Sequence, residues 1–138
     1  MADEIIAALQ GSELFRDIPD KQLKRIRKAG KEMSFPAGAE LVAEGKEAGR
    51  FFLILDGTAE VVAHGVHRTE LGPGDAVGEL ALLDGGTRSA TVKAVDELRT
   101  FSLASWNFRT FMSDPEIMSA VIRVLCRRLR TAEAPAAE

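Results

Sequence analysis

The stretch Gly78-Glu79-Leu80-Ala81-Leu82-Leu83-Asp84-Gly85-Gly86-Thr87-Arg88-Ser89-Ala90-Thr91 gathers the residues of this chain that could do chemistry. Gly78 lets the backbone come close to a ligand. A short helical turn over residues 79–83 would present the N–H groups of Leu80 and Ala81 to an anion. Arg88, a few positions further on, can fold back to face those N–H groups. A guanidinium fork opposite main-chain donors satisfies the oxygens of a singly charged phosphodiester, as burial of that group demands. Glu79 would be repelled if it faced the phosphate. Its carboxylate is accounted for if it accepts a hydrogen bond from a hydroxyl of an adjoining sugar. Each residue also has a plainer reading: Glu79 as a first-turn acid favoured by the helix dipole, and Arg88 as a surface residue paired with Asp84. The anion site rests on their combination.

The elements that must position this stretch fall into three zones. Glu4, Ile5, Ile6 and Leu9 predict a first helix that stops at Gly11. A second helix starts near Pro19, with Leu23 and Ile26 on one side, and ends at Gly30. Its basic residues Lys21, Lys24, Arg25, Arg27 and Lys28 are flanked by Asp17, Asp20 and Glu32, so a solvated helix face is favoured over a nucleic-acid stripe.

From about residue 31 to 103, turn signals recur every eight to twelve residues or so, which argues for a sandwich or barrel of short strands. Asp56-Gly57, between Phe51–Leu55 and Thr58–Ala63, reads as a tight hairpin turn. Ser89–Val95 alternates as a half-buried strand should. The final zone is helical: Ser105–Met112 is a short apolar helix, and Ser113-Asp114-Pro115-Glu116 offers a capping box for the next. The apolar side of that last helix is Ile117, Val121, Val124, Leu125 and Leu129. The expected fold is mainly β with helices on both flanks, its short strands rolled into a sandwich or barrel. A phosphate site, a sugar acceptor and a Gly-rich turn inside such a roll point to a nucleotide.

Composition narrows the field. A chain of 138 residues suits one domain, here 1–131, followed at 132–138 by a disordered tail or the start of a linker. A net charge of −3 argues against a broad nucleic-acid face. The lone Cys126 can form no internal disulfide and suits a reducing cytoplasm. The acidic start Met1-Ala2-Asp3-Glu4 is unlike a secretory signal, and the apolar run Phe51–Leu55 is too short to cross a bilayer. A metal-dependent barrel enzyme would need about three converging His and carboxylate ligands. Only His64 and His67 are present, flanking a hairpin tip, so no metal and no catalysis are expected.

The sequence also resembles the cyclic nucleotide-binding domains of bacterial catabolite activators, cAMP-dependent protein kinase regulatory subunits and cyclic-nucleotide-gated channels. The resemblance runs from about Ser12 to Thr131. It is carried by Phe35-Pro36-Ala37-Gly38, Glu44-Gly45, Phe51-Phe52-Leu53-Ile54-Leu55-Asp56-Gly57, Leu71-Gly72-Pro73-Gly74-Asp75 and the Gly78–Val92 segment, which looks like the family's phosphate-binding cassette. The resemblance implies that Glu79 takes the ribose 2′-hydroxyl, Arg88 an exocyclic phosphate oxygen, and Ser89 a further phosphate contact. Backbone amides near Leu80, Ala81 and Ser89 would complete the cradle beside Gly78. It also implies a β-roll (double-stranded β-helix, jelly-roll-like) with N-terminal helices and a C-terminal lid helix, and a base held by apolar strand residues, here Ala59 and Val61, with Arg68 near a position that is often apolar in relatives. Ser89 leans toward cAMP over cGMP.

By the same resemblance, ligand binding would draw the 105–112 helix inward and swing the last helix over the base, with Arg127 and Leu129 as contacts. Two other readings of that helix stand beside this one. Its basic residues complement its own dipole, and its apolar stripe could pair with a second copy. The expected function is a cyclic nucleotide sensor that signals to an output domain or partner protein. It would itself contact neither nucleic acid nor membrane. A domain of the same fold that has lost the ligand and serves as an interaction module is the alternative.

Overall fold

Phe51, Phe52, Leu53 and Ile54 are all buried. Successive strand side chains point to opposite faces, so four in a row are buried only where both faces of the sheet are covered. The computed structural model, which describes residues 2–46, 49–78 and 86–137, shows how. Two helices, α1 (Ala2–Gly11) and α2 (Asp20–Ala29), precede eight strands: β1 (Lys31–Phe35), β2 (Glu40–Val42), β3 (Arg50–Asp56), β4 (Ala59–Ala63), β5 (Val66–Leu71), β6 (Ala76–Val77), β7 (Thr91–Ala94) and β8 (Leu98–Ala104). Two more helices follow, α3 (Ser105–Met112) and α4 (Pro115–Ala137). The strands form two four-stranded antiparallel sheets, ordered β1-β8-β3-β6 and β2-β7-β4-β5. The expected β-roll with flanking helices is the fold observed.

The first sheet separates two cores. Phe51, Leu53, Phe101 and Leu103 face the helices and pack with Ile5, Leu9, Leu23, Ile26, Phe108 and Val121. Phe51 meets the Phe15 ring edge-on at 5.4 Å and stacks on Phe108 at 5.3 Å, two geometries that aromatic quadrupoles favour. On the other face, Phe52, Ile54, Val77 and Leu98 meet Ala59, Val92 and Ala94 of the second sheet.

Gly30 joins α2 to β1 where a Cβ would overlap the Phe101 ring and lie 2.7 Å from the Ser102 carbonyl oxygen. Gly30→Ala is therefore expected to cost about 1–3 kcal/mol by overpacking. It should lower the melting midpoint by several degrees in a circular-dichroism melt, and an unchanged midpoint would contradict this packing.

The Asp56-Gly57 turn differs from expectation. β3 and β4 lie in different sheets, so this is a corner crossing between them and not a hairpin. Gly57 has φ +96°, and its missing Cβ leaves room for the Glu97 carbonyl oxygen 2.5 Å away. The corner is laced to the β7–β8 connection, with the Thr58 N–H on Asp96 Oδ1 at 2.8 Å and the Val95 N–H on the Thr58 carbonyl at 2.8 Å. The tight hairpin sits at His64-Gly65 instead. Both residues have positive φ, 53° and 75°, the pattern of a two-residue turn whose twist matches its flanking strands.

α4 also departs from expectation, running through Ala137 where an irregular tail had been expected from Ala132. Ala132, Glu133 and Ala134 are strong helix formers and carry the backbone onward, past Pro135, which donates no N–H to the helix. The helix lies on the N-terminal segment. Arg127 bonds Asp17 at 3.2 Å, Arg128 bonds Glu13 at 2.8 Å, and the Gln22 amide donates to Glu116 at 2.7 Å. Elsewhere on the surface, Arg99 bonds Glu4 at 3.0 Å and Glu32 at 3.4 Å. The hydrogen bond and charge of Arg99 hold the Glu4 carboxyl below its usual range. Any stability from that contact is present above the ordinary glutamate range and is lost as pH falls through the lowered value. Among the described residues no helix is long and apolar enough to cross a membrane.

Candidate functional site

The inner face of the second sheet carries a row of valines. Val42 of β2 and Val61 of β4 both register with Val92 of β7 between them. β-branched side chains fit such a pleated, half-covered surface. Together with Leu71, Ala76 and Val77 they form the apolar wall of a cavity of about 230 Å³. Gly78, Arg88, Ser89 and Ala90 close its polar end. Apolar walls with a few convergent polar groups are the usual make-up of a small-molecule site.

Arg88 is the charged residue among the described residues that line this cavity. It is only 5 % exposed, in an environment where a cation is costly unless its surroundings satisfy it. Its Nη2 donates to the Arg50 carbonyl, and the guanidinium lies where a side chain on Gly78 would otherwise be. Gly78 itself has φ +90°, a conformation that glycine adopts without strain. The main chain of Arg88 is held on both sides: its N–H donates to the Lys46 carbonyl at 2.8 Å, and its carbonyl accepts the Gly45 N–H at 2.9 Å. The turn after β2 thus fixes the backbone from which the guanidinium extends. A rigid, buried monocation at the end of an apolar cavity can bind one negative charge carried on an otherwise apolar or stacking ligand.

Gly78, Arg88 and Ser89 come together at the cavity, Ser89 exposed and Arg88 within. Glu79, Leu80 and Ala81 lie outside the described residues, as does Asp84. Val61 lines the cavity, whereas Ala59, two residues along the same strand, is fully buried in the core between the sheets and does not reach it. Arg127 and Leu129 are not brought to it either. Arg127 pairs with Asp17, and Leu129 is 61 % exposed.

Arg68 does not line the cavity. It is the extra residue of a bulge between Val61↔Thr69 and Val62↔His67, exposed and directed back toward the Ala63 carbonyl. His64 and His67 each pair with one glutamate, Glu44 and Glu60, both at 3.1 Å. Among the described residues no group of three or more His, Cys, Asp or Glu side chains could hold a metal ion.

Two features escaped the sequence reading. Val92 was visible only as part of the alternating Ser89–Val95 stretch and Val42 carried no signal of its own, since strand pairing decides which residues face a cavity. The hold of Gly45 and Lys46 on Arg88 had no signal beyond the Glu44-Gly45 turn itself.

Residues 32–114 match the model of a family described as "Cyclic nucleotide-binding domain". Over 134 residues the chain is 30% identical to a CRP-like cAMP-activated global transcriptional regulator of Mycobacterium tuberculosis, covering 93% of this chain and 58% of the regulator. Over 126 residues it is 33% identical to a cyclic nucleotide-gated potassium channel of Rhizobium etli, covering 91% of this chain and 34% of the channel. The regulatory domain of Toxoplasma gondii PKA, in co-crystals with cAMP, superposes with a TM-score of 0.74 at 29% identity over 80% of this chain and 44% of that one. The chain thus spans little more than half the length of the curated regulator it matches. The matched segment holds all but the first residue of the two sheets and every described wall of the cavity, and the chain belongs to the cyclic nucleotide-binding domain family.

Proposed function

We propose that the cavity closed by Arg88 binds cAMP as a regulatory ligand and that the domain catalyses nothing. The observation that carries this reading is the buried Arg88 guanidinium, seated against Gly78 at the end of an apolar cavity. A cyclic phosphodiester carries a single negative charge, which one guanidinium balances. AMP carries up to two, and the second would enter an apolar site without a partner among the described lining residues. Ser89 at the cavity mouth supports cAMP over cGMP, as do the cAMP-activated regulator and the cAMP co-crystal among the similar proteins.

In this reading Glu79 accepts the ribose 2′-hydroxyl, and the amides of Leu80, Ala81 and Ser89 complete the phosphate cradle. The base lies against Val61 and its neighbours. Arg68 points away from the cavity, so it does not obstruct the base.

The signal leaves through the helices. α3 and α4 pack on the same core as β3, and α4 is held to the N-terminal segment by surface ion pairs that are individually weak. A ligand that binds a rearranged state better would shift that balance toward an output domain or partner protein. Arg127 and Leu129 would then reach the base from α4. Ile122 and Leu129, seven residues apart and both exposed, support pairing of α4 with a second copy. The lone Cys126 fits work in the cytoplasm.

Thermal melts with cAMP, cGMP and AMP test the reading. A ligand at about 100 times its Kd adds roughly 2.7 kcal/mol of stability. cAMP should raise the midpoint most, cGMP less, and AMP not at all. Equal midpoints with and without cAMP would end the proposal.

A further inference from the structure

We propose that Glu44 is a positioning residue for Arg88, acting through a clasp with the β4–β5 turn that sets the affinity for the cyclic nucleotide. The inference rests on the cavity reading above. The Glu44 carboxylate grips His64 twice: Oε1 accepts the His64 main-chain N–H at 2.9 Å, and Oε2 meets His64 Nδ1 at 3.1 Å. The Glu44 main-chain N–H donates to Thr91 Oγ1 at 3.0 Å. Glu44 therefore laces together the end of β2, the start of β7 and the end of β4, at the rim of the sheet where Arg88 enters β7. The two residues after it, Gly45 and Lys46, supply both main-chain hydrogen bonds that hold Arg88.

The geometry gives a route from a surface glutamate to the backbone that carries the anion-binding guanidinium: Glu44 is anchored by His64 and Thr91, the chain continues into Gly45 and Lys46, and their main-chain hydrogen bonds to Arg88 are of ordinary length. The turn that grips Arg88 is short and mostly exposed, with little packing of its own. Its position is set by what anchors its first residue. His64 is a firm anchor, because the two-residue turn it shares with Gly65 fixes its backbone at positive φ. Releasing Glu44 would leave the guanidinium present but free to sample positions displaced from the phosphate, and a displaced binding group loses affinity without losing the fold.

The test is a titration of the whole chain with cAMP by calorimetry, beside amide exchange measured by NMR without nucleotide. Glu44→Ala is expected to weaken cAMP binding about fivefold, the worth of an ordinary hydrogen bond. Glu44→Gln, which keeps an acceptor for the His64 N–H, should restore most of the affinity. Thr91→Val, benign in a strand, should show a smaller loss in the same direction. In an Arg88→Lys background, Glu44→Ala should add no further loss, because the two act as one unit. Without nucleotide, the Arg88 and Gly45 amides should exchange faster in Glu44→Ala than in wild type.

A wild-type protein that binds cAMP beside a Glu44→Ala protein of equal affinity would overturn the positioning role and leave the cavity reading standing. A fully additive loss on top of Arg88→Lys would also overturn it. A wild-type protein that binds no cAMP would overturn both.

Discussion

Arg88→Lys should weaken cAMP binding by at least tenfold while the protein melts within a few degrees of wild type. Lysine keeps the charge on a shorter side chain than the one whose Nη2 now bonds the Arg50 carbonyl. It lacks the planar fork that engages a carbonyl on one edge and an oxyanion on another. Truncating one side of a buried, hydrogen-bonded charge pair commonly costs about 2–5 kcal/mol, roughly thirtyfold or more; lysine keeps the charge and loses the fork, so the expected floor is set lower, at tenfold. Calorimetry gives the affinity, and a melt without nucleotide separates a lost contact from a lost fold. Binding as tight as wild type would remove Arg88 from the phosphate.

The second large effect is expected at Gly78. Alanine there meets two obstacles: a backbone at φ +90° and a guanidinium already in the space its Cβ needs. Gly38 has nearly the same backbone, φ +87°, with nothing within 4 Å of its missing Cβ. The two positions therefore divide strain from sterics. Gly38→Ala should cost only the left-handed penalty, about 1–2 kcal/mol of stability, and leave cAMP affinity unchanged. Gly78→Ala should cost a similar amount of stability and at least tenfold in affinity, because the guanidinium must give way. Equal affinity in the two variants would show that the close approach of Gly78 to Arg88 has no part in binding.

The helices and the place of Arg88 beside Gly78 at the cavity could be read from the sequence because their signals are local. Gly11, Pro19, Gly30 and Pro115 punctuate apolar periodicity, and the structure places helix ends at or beside each. The β-roll was legible from turn spacing, but its pairing was not. Asp56-Gly57 has the sequence of a hairpin and the structure of a corner, since a DG pair states only that the chain bends there. Whether the two flanking strands share a sheet depends on β8 and β7, forty or so residues further on. Ala59 lies off the cavity that Val61 lines, for a related reason. Period-two alternation shows that Ala59 and Val61 share a face but not how deep the cavity runs along it. Arg127 and Leu129 sit on a helix whose sequence fixes its apolar stripe but not which surface the stripe and its flanking arginines meet.

In the proposed complex Arg88 and Gly78 hold a singly charged cyclic phosphate at the end of the valine-lined cavity. A crystal structure of the chain grown with cAMP tests it most directly. An exocyclic phosphate oxygen is expected about 2.7–2.9 Å from the Arg88 guanidinium, with the rest of the nucleotide against Val61 and Val92. A nucleotide bound elsewhere, or an Arg88 side chain turned out of the cavity with cAMP present, would contradict it.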